Sequence, residues 1–472
     1  PEASSSPSSS SSSTAAAAPT SPLPPLPDGL RRLASGAELN ESQWEAVQRA
    51  AKQQLTLIQG PPGTGKTQVG IQILRTWVQH EKIRPVLACA GSNTAVDNLA
   101  EGARKEGLRV VRIGSSVRME SFAESLSLDA QMAQRGCSRD EVLRGADVIC
   151  CTCDKAGSYI LFQLPFAIRG VLIDEAGQVT ELSTLIPLTE NKPDRVALLG
   201  DQCQLPPTIS SREAEERGLG MTLFSRLLSA GLTPHFLETQ YRMHPTLAEF
   251  CSHTFYGGQL KTGISSLERA PPVGFPWPKP NIGMAFVNWK GSETLIGTSK
   301  TNEQEAALLV DILQSFLAVG DLDPYDVGVI SPYKAQVVEL EKLIIRRTGQ
   351  LPNRVLESAS EATEGFENQS AVTVSSVDGF QGREKDLILI SAVRTEGVGF
   401  LSDLRRLNVM LTRARRGMVV IGDAKTLRRD KTWARWLDWV DEGGFAIEAS
   451  DLPGLSGGAR SGECHAGTNV LP

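Results

Sequence analysis

The chain has 472 residues, with 48 Lys and Arg against 54 Asp and Glu and a net charge of −6. Roughly two to four domains fit that length, and the charge excludes a bulk polycation, so any contact with nucleic acid must come from local clusters. No apolar run reaches the length of a membrane-spanning helix.

Residues 1–29 are Ser, Pro and Ala with almost no charge, and they read as a disordered tail that cannot build a core. The chain begins with Pro, as a fragment or processed product would. It has no Lys or Arg before Arg31, so a linker fits better than an Arg-rich organelle signal. A second loose tail, rich in Gly and Ser, is expected over residues 450–472.

Between the tails, apolar strands alternate with amphipathic stretches, the pattern of a parallel sheet covered by helices. The first series of strands is Leu55–Ile58, Val86–Ala90, Val110–Ile113, Asp147–Thr152, Gly170–Ile173 and Arg195–Leu199. Helices are expected between them, for example Gln68–Trp77 and Ala95–Arg104. After a Pro-rich loop, Pro271 to Pro280, the pattern restarts with Met284–Val287, Val327–Ile330, Val372–Ser375, Leu387–Ser391 and Met418–Gly422. Helices Glu303–Leu317 and Ala335–Arg346 accompany them. The fold class is therefore α/β with two tandem domains, residues 30–232 and 233–449.

Only the first half carries a glycine-rich phosphate loop, Gly60-Pro61-Pro62-Gly63-Thr64-Gly65-Lys66-Thr67. It follows a strand and opens a helix, the context in which backbone N–H groups and a helix N-terminus cradle phosphates. Lys66 would reach the β- and γ-phosphates, and the Thr67 hydroxyl would hold Mg²⁺. The alternative, a glycine turn without nucleotide, leaves a lysine in the loop with no purpose. ATP and Mg²⁺ are the expected cofactors.

The run Val171-Leu172-Ile173-Asp174-Glu175 ends a strand in two carboxylates. Downstream of a phosphate loop, Asp174 suits the metal and Glu175 suits the attacking water. In Gly200-Asp201-Gln202-Cys203-Gln204, Gln204 is the polar side chain chosen to touch the γ-phosphate; an ordinary turn is the alternative. In Gln240-Tyr241-Arg242-Met243-His244, Arg242 is a candidate arginine finger, Tyr241 could stack on the base, and His244 reads as a structural hydrogen-bonder. Glu384, just after a strand, could accept from ribose hydroxyls. Leu407 to Arg416 reads as a basic helix-like segment in which Arg413 is a second γ-phosphate arginine; a solvated basic face is the alternative.

Eight cysteines form no paired metal-ribbon spacing. Cys150, Cys151 and Cys153 lie in or beside a strand and read as buried thiols, which places the protein in a reducing compartment, cytoplasm or nucleus.

In this order the motifs resemble superfamily 1 helicases, in the branch of the nonsense-mediated-decay helicase and senataxin. Leu39-Asn40-Glu41-Ser42-Gln43 resembles the family's Q motif, which implies that Gln43 reads adenine. Ser92 to Asn98 resembles motif Ia, Ala146 to Cys153 motif Ib, and Ile330 to Gln336 motif IV. The QYRMHP, VDGFQGREKD and LNVMLTRAR runs are the most specific.

The resemblance implies two RecA-like domains with ATP in the cleft between them, a single RNA or DNA strand across both, and movement 5′ to 3′. It assigns strand contact to Ser92, Asn93, Asn98, Thr152, Pro332, Tyr333 and Val377. A monomer without membrane contact is expected. The alternative is an ATP-switched nucleic-acid clamp with little unwinding, because the stretches before Gln43 and between Arg112 and Ala146 are short for the family's accessory inserts. A ring-forming remodelling ATPase shares the phosphate loop but predicts a small helical lid where strands recur here.

Overall fold

In the computed structural model, residues 26–114, 121–349, 353–354 and 371–452 are described. The tail expectations for residues 1–29 and 450–472 lie outside them except at the inner ends, where they need correction: Leu26 packs into a core of the first half and Leu452 into one of the second.

Among the described residues, two parallel sheets of seven strands each form the two halves, beside two small two-stranded sheets. In the first, the strands in chain order are β1 (Leu55–Gln59), β2 (Val86–Ala90), β3 (Val110–Arg112), β4 (Val148–Thr152), β5 (Gly170–Ile173), β6 (Arg195–Gly200) and β7 (His235–Phe236). They lie side by side in the order β3-β4-β2-β5-β6-β1-β7. Each connection crosses back over a face of the sheet, so both faces are covered and the strands read as unbroken apolar runs. Alternate residues serve opposite cores. Ile58, Ala88, Leu172 and Leu199 pack against Trp44, Ile73, Trp77 and Leu99 of the helices Glu41–Lys52, Lys66–Gln79 and Asn93–Lys105. Leu57, Cys89, Ile173 and Leu198 face the other way, toward Leu143 and Phe224.

The second sheet contains β8 (Gly283–Asn288), β9 (Val327–Ser331), β10 (Asn353–Arg354), β11 (Thr373–Ser376), β12 (Lys385–Ser391), β13 (Ala414–Gly422) and β14 (Ala446–Glu448). Its spatial order is β10-β11-β9-β12-β13-β8-β14. Phe286, Ile388, Ile390 and Val420 pack on Trp433, Trp436 and the helix Pro245–Tyr256. Val287, Leu389 and Ile421 pack on the helices Glu303–Val319 and Lys334–Thr348.

All eleven strands expected from the sequence are present, ten of them within a residue or two at their ends; the one expected at Met418–Gly422 starts four residues earlier, at Ala414. Three edge strands, β7, β10 and β14, carry too few residues to show a pattern in sequence. β7 pairs with β1 of the first sheet, beyond residue 232, where the sequence places the break between halves. One expectation needs correction: the basic segment is not a continuous helix. The helix Leu404–Leu411 stops before Arg413, and Ala414–Arg416 already belong to β13. The β-branched and glycine-containing run after Ala414 pairs with β8 and β12 instead, so Arg413 sits at a helix-to-strand corner.

Candidate functional site

The phosphate loop leaves β1 at the carboxyl edge of the first sheet, where ligands of open α/β sheets bind. Its register is tied to β6, since the Gly60 N–H donates to the Gly200 carbonyl at 3.0 Å. Gly63 has φ +76°, and a Cβ there would meet the Arg242 Cβ at 2.6 Å, so the loop lies directly against the Gln240–Arg242 segment. The Tyr241 N–H donates to the Gly63 carbonyl at 2.9 Å. A glycine loop packed this closely tolerates no side chain.

The Lys66 ammonium donates to the Gly60 carbonyl at 2.9 Å and stands 3.9 Å from a Glu175 carboxylate oxygen. The Thr67 hydroxyl donates to Asp174 Oδ2 at 2.9 Å. Asp174 is 1% exposed. Burial, then the neighbouring Glu175, push its carboxyl up to about 6, against Lys66 and Thr67. A hydroxyl and a carboxylate are hard oxygen donors of the kind Mg²⁺ takes beside substrate phosphates, and a cation would favour the ionised carboxylate. The two residues therefore fit the metal. Glu175 is less buried, sits in the left-handed region at φ 51°, and accepts from the Gln178 amide at 2.9 Å. Its carboxylate thus lies between lysine and open cleft. We expect Lys66→Ala to weaken Mg-nucleotide binding at least tenfold, the loss of one charge-assisted contact. Equilibrium titration with a fluorescent ATP analogue measures it, and unchanged affinity would count against a phosphate role for Lys66.

The second half reaches the same cleft. Arg242 pairs with Glu384, and its Nη1 donates to the Thr412 carbonyl at 3.0 Å. Arg415 holds the other oxygen of Glu384 at 2.7 Å. Burial would raise the Glu384 carboxyl, but Arg242 and Arg415 prevail and hold it at about 2. Glu384, expected to serve ribose hydroxyls, is placed between two guanidinium groups. Arg413 is 1% exposed, and its Nη2 donates to Gln204 Oε1 at 3.3 Å across the two halves. Burial, then nearby Arg242, act against its charge. Two arginines crowded in a dry cleft leave positive potential for an anion to neutralise.

At the base end, Asn40 and Gln43 make a reciprocal capping box on the helix Glu41–Lys52. The Gln43 amide also donates to the Thr64 carbonyl at 2.9 Å, so its side chain braces the phosphate loop. The Tyr241 hydroxyl accepts from Asn40 at 2.8 Å while its ring stays 38% exposed. That leaves a ring face open beside the loop. His244 caps the helix Pro245–Tyr256, accepting at Nδ1 from the Thr246 N–H, as a structural hydrogen-bonder would.

The residues assigned to strand contact gather on the carboxyl edges of neighbouring strands. Ser92 follows β2 and caps the helix Asn93–Lys105, and Thr152 ends β4, whose register partner is Ala90. Asn93 accepts from Arg112, which is locked to Asp97 at 2.7 Å with both side chains 1% exposed. Asn98 is exposed on the same helix. In the second half, Pro332 and Tyr333 follow β9 and Val377 follows its neighbour β11. These last two differ from the rest. Tyr333 is 4% exposed and its hydroxyl accepts from Arg394 at 3.1 Å; Val377 is wholly buried. At Val377 only the main chain can face a ligand.

Sequence reasoning did not single out Asp201, Tyr256, Asn408 or Arg415, which line or brace the cleft. Asp201, Asn408 and Arg415 lie within recognised motifs and could have been found there. Tyr256 carries no local signal.

A phosphate loop and acid pair on one parallel sheet, answered by arginines from a second, define a tandem RecA-like P-loop fold. Residues 38–139 and 133–212 match one AAA-domain family model, and residues 219–425 match another. Between them the two models span most of the chain, and it belongs to the superfamily 1 helicases, in the branch of the nonsense-mediated-decay helicase. It is 36% identical over 451 residues to the regulator of nonsense transcripts 1 homolog of Drosophila melanogaster, a match covering 88% of this chain and 37% of that protein. To the homolog of Neurospora crassa it is 39% identical over 435 residues, 84% of this chain and 38% of that protein. To the ATP-dependent helicase upf1 of Schizosaccharomyces pombe it is 38% identical over 457 residues, 88% of this chain and 48% of that protein. The chain thus spans between a third and a half of the length of these relatives.

Proposed function

We propose that the protein hydrolyses ATP in the cleft between its halves and uses the cycle to move 5′ to 3′ along single-stranded RNA or DNA. The observation that carries this reading is the arrangement of Arg242 and Arg413. They belong to the second sheet's half yet crowd against Gln204 and the phosphate loop of the first. A triphosphate held by Lys66 would satisfy both arginines, so it binds the closed cleft better than an open one. Only such differential affinity can drive closure. Thr67 and Asp174 would hold Mg²⁺, which when bound neutralises phosphate charge. Glu175 would orient and deprotonate the attacking water. When the γ-phosphate leaves, the shared anion is gone and the cleft relaxes. Strand-facing loops of both sheets ride on that motion. The relatives' printed names, a regulator of nonsense transcripts and an ATP-dependent helicase, agree with a motor on nucleic acid. Among the described residues no helix is long and apolar enough to cross a membrane.

The test is ATP turnover with and without single-stranded RNA and DNA at two salt concentrations. One polymer should stimulate turnover severalfold, less at high salt as phosphate contacts are screened. Absence of stimulation by either would overturn the motor reading. Displacement from duplexes with a 5′ or a 3′ overhang tests direction.

A further inference from the structure

Behind the phosphate-facing groups lies a buried hydrogen-bond chain that joins the two halves. Asp201, at the end of β6, is 3% exposed and Tyr256, at the end of the helix Pro245–Tyr256, is 5% exposed. The Tyr256 hydroxyl donates to Asp201 Oδ2 at 2.8 Å. The same oxygen accepts from the Gln204 amide at 2.7 Å. Asn408, fully buried on the helix Leu404–Leu411, donates from Nδ2 to the Tyr256 hydroxyl at 2.8 Å and to the Cys203 carbonyl at 2.8 Å. Gln204 completes the circuit, its Oε1 accepting from Arg413.

Three features set this chain apart from ordinary packing. It is continuous from one sheet to the other: Gln204 and Asp201 belong to the first half, Tyr256 and Asn408 to the second. Its centre is a carboxylate in a dry site, which costs stability unless hydrogen-bonded; burial raises the Asp201 carboxyl, opposed by Lys66, Gln204 and Tyr256. And one oxygen of Asp201 aims Gln204 while the second half grips that same oxygen through a phenol.

We propose that Tyr256 is a positioning residue that couples the placement of Gln204 to the docking of the second half. When the halves are docked, the Tyr256 hydroxyl orients the Asp201 carboxylate, which turns the Gln204 amide so that its carbonyl oxygen faces Arg413. When they separate, the phenol withdraws, Asp201 is free to rotate, and Gln204 loses its aim. Gln204 is thus competent only when both arginines are in place, which ties hydrolysis to closure. Tyr256 touches neither nucleotide nor nucleic acid in this account. The inference rests on the proposed ATP hydrolysis and on Gln204 acting at the γ-phosphate, as its motif leads one to expect.

The experiment is a double-mutant cycle on ATP hydrolysis in the full chain, read in single turnover without polymer. Tyr256→Phe keeps the ring and deletes the hydroxyl. We expect hydrolysis to fall about ten- to a hundredfold, the loss of a hydrogen bond to a charged group, with ATP-analogue affinity unchanged. Gln204→Ala should cost at least as much. If Tyr256 acts through Gln204, the double variant is no slower than Gln204→Ala alone, because neighbours in one network do not add. If the two losses multiply, or if Tyr256→Phe lowers affinity and leaves the hydrolytic step intact, the positioning role is overturned. Melting temperatures report the purely structural cost separately. Because no polymer is present, the cycle can fail while strand-stimulated turnover holds, and the reverse.

Discussion

Glu175→Gln is expected to bind Mg-ATP with near wild-type affinity and to lose hydrolysis by about 10²- to 10⁴-fold, the contribution of a positioned general base. The carboxamide keeps the volume and the carbonyl that can accept from Gln178, now at 2.9 Å. The contact it gives up with Lys66 spans 3.9 Å, longer than a hydrogen bond, and Lys66 keeps its bond to the Gly60 carbonyl. The folded state should therefore survive, and the deficit should fall on the chemical step. Nucleotide titration together with single-turnover hydrolysis separates the two. Turnover within a few-fold of wild type would remove Glu175 from the water-activating role.

Arg242→Ala is expected to lower the hydrolytic rate by about 10³-fold or more, in the range of a lost arginine finger. Its guanidinium is fixed from two sides, by Glu384 and by the Thr412 carbonyl, so it is held in place before any phosphate arrives, and preorganised charge is the most effective kind. Removing it does not strand Glu384, which keeps Arg415 at 2.7 Å. The variant should fold, bind nucleotide through the phosphate loop, and fail to accelerate hydrolysis. Arg242→Lys is the sharper comparison. It restores the charge without the planar fork that spans carboxylate and carbonyl, and we expect it to recover less than a tenth of the lost rate. Full recovery by lysine would mean that charge alone, and not the geometry set by Glu384, matters there.

The phosphate loop, the acid pair and the two arginines were legible because each depends on residue types at short, fixed spacing beside a strand or helix. Chain-local chemistry of that kind survives in sequence whatever the rest of the fold does. The strands were legible for a related reason: parallel strands buried on both faces must be apolar throughout. Two-residue edge strands such as β7 leave no such trace. Arg413 was recognised, but its setting was misjudged, because a basic run after an amphipathic stretch looks helical until β8 and β12 claim Ala414 onward as their partner.

Glu384 and Tyr256 show the other limit. A glutamate after a strand suits a ribose as well as an arginine, and only the approach of Arg242 and Arg415, one of them 142 positions away, places it in an ion-pair network. Tyr256 meets Asp201 across 55 positions and Asn408 across 152, separations over which no spacing rule operates. By itself the sequence determined the class of chemistry, since phosphate binding and water activation are built from neighbours along the chain. The tertiary structure alone decided which groups from the second half meet that chemistry, because two separately wound sheets come together through contacts that neither encodes locally.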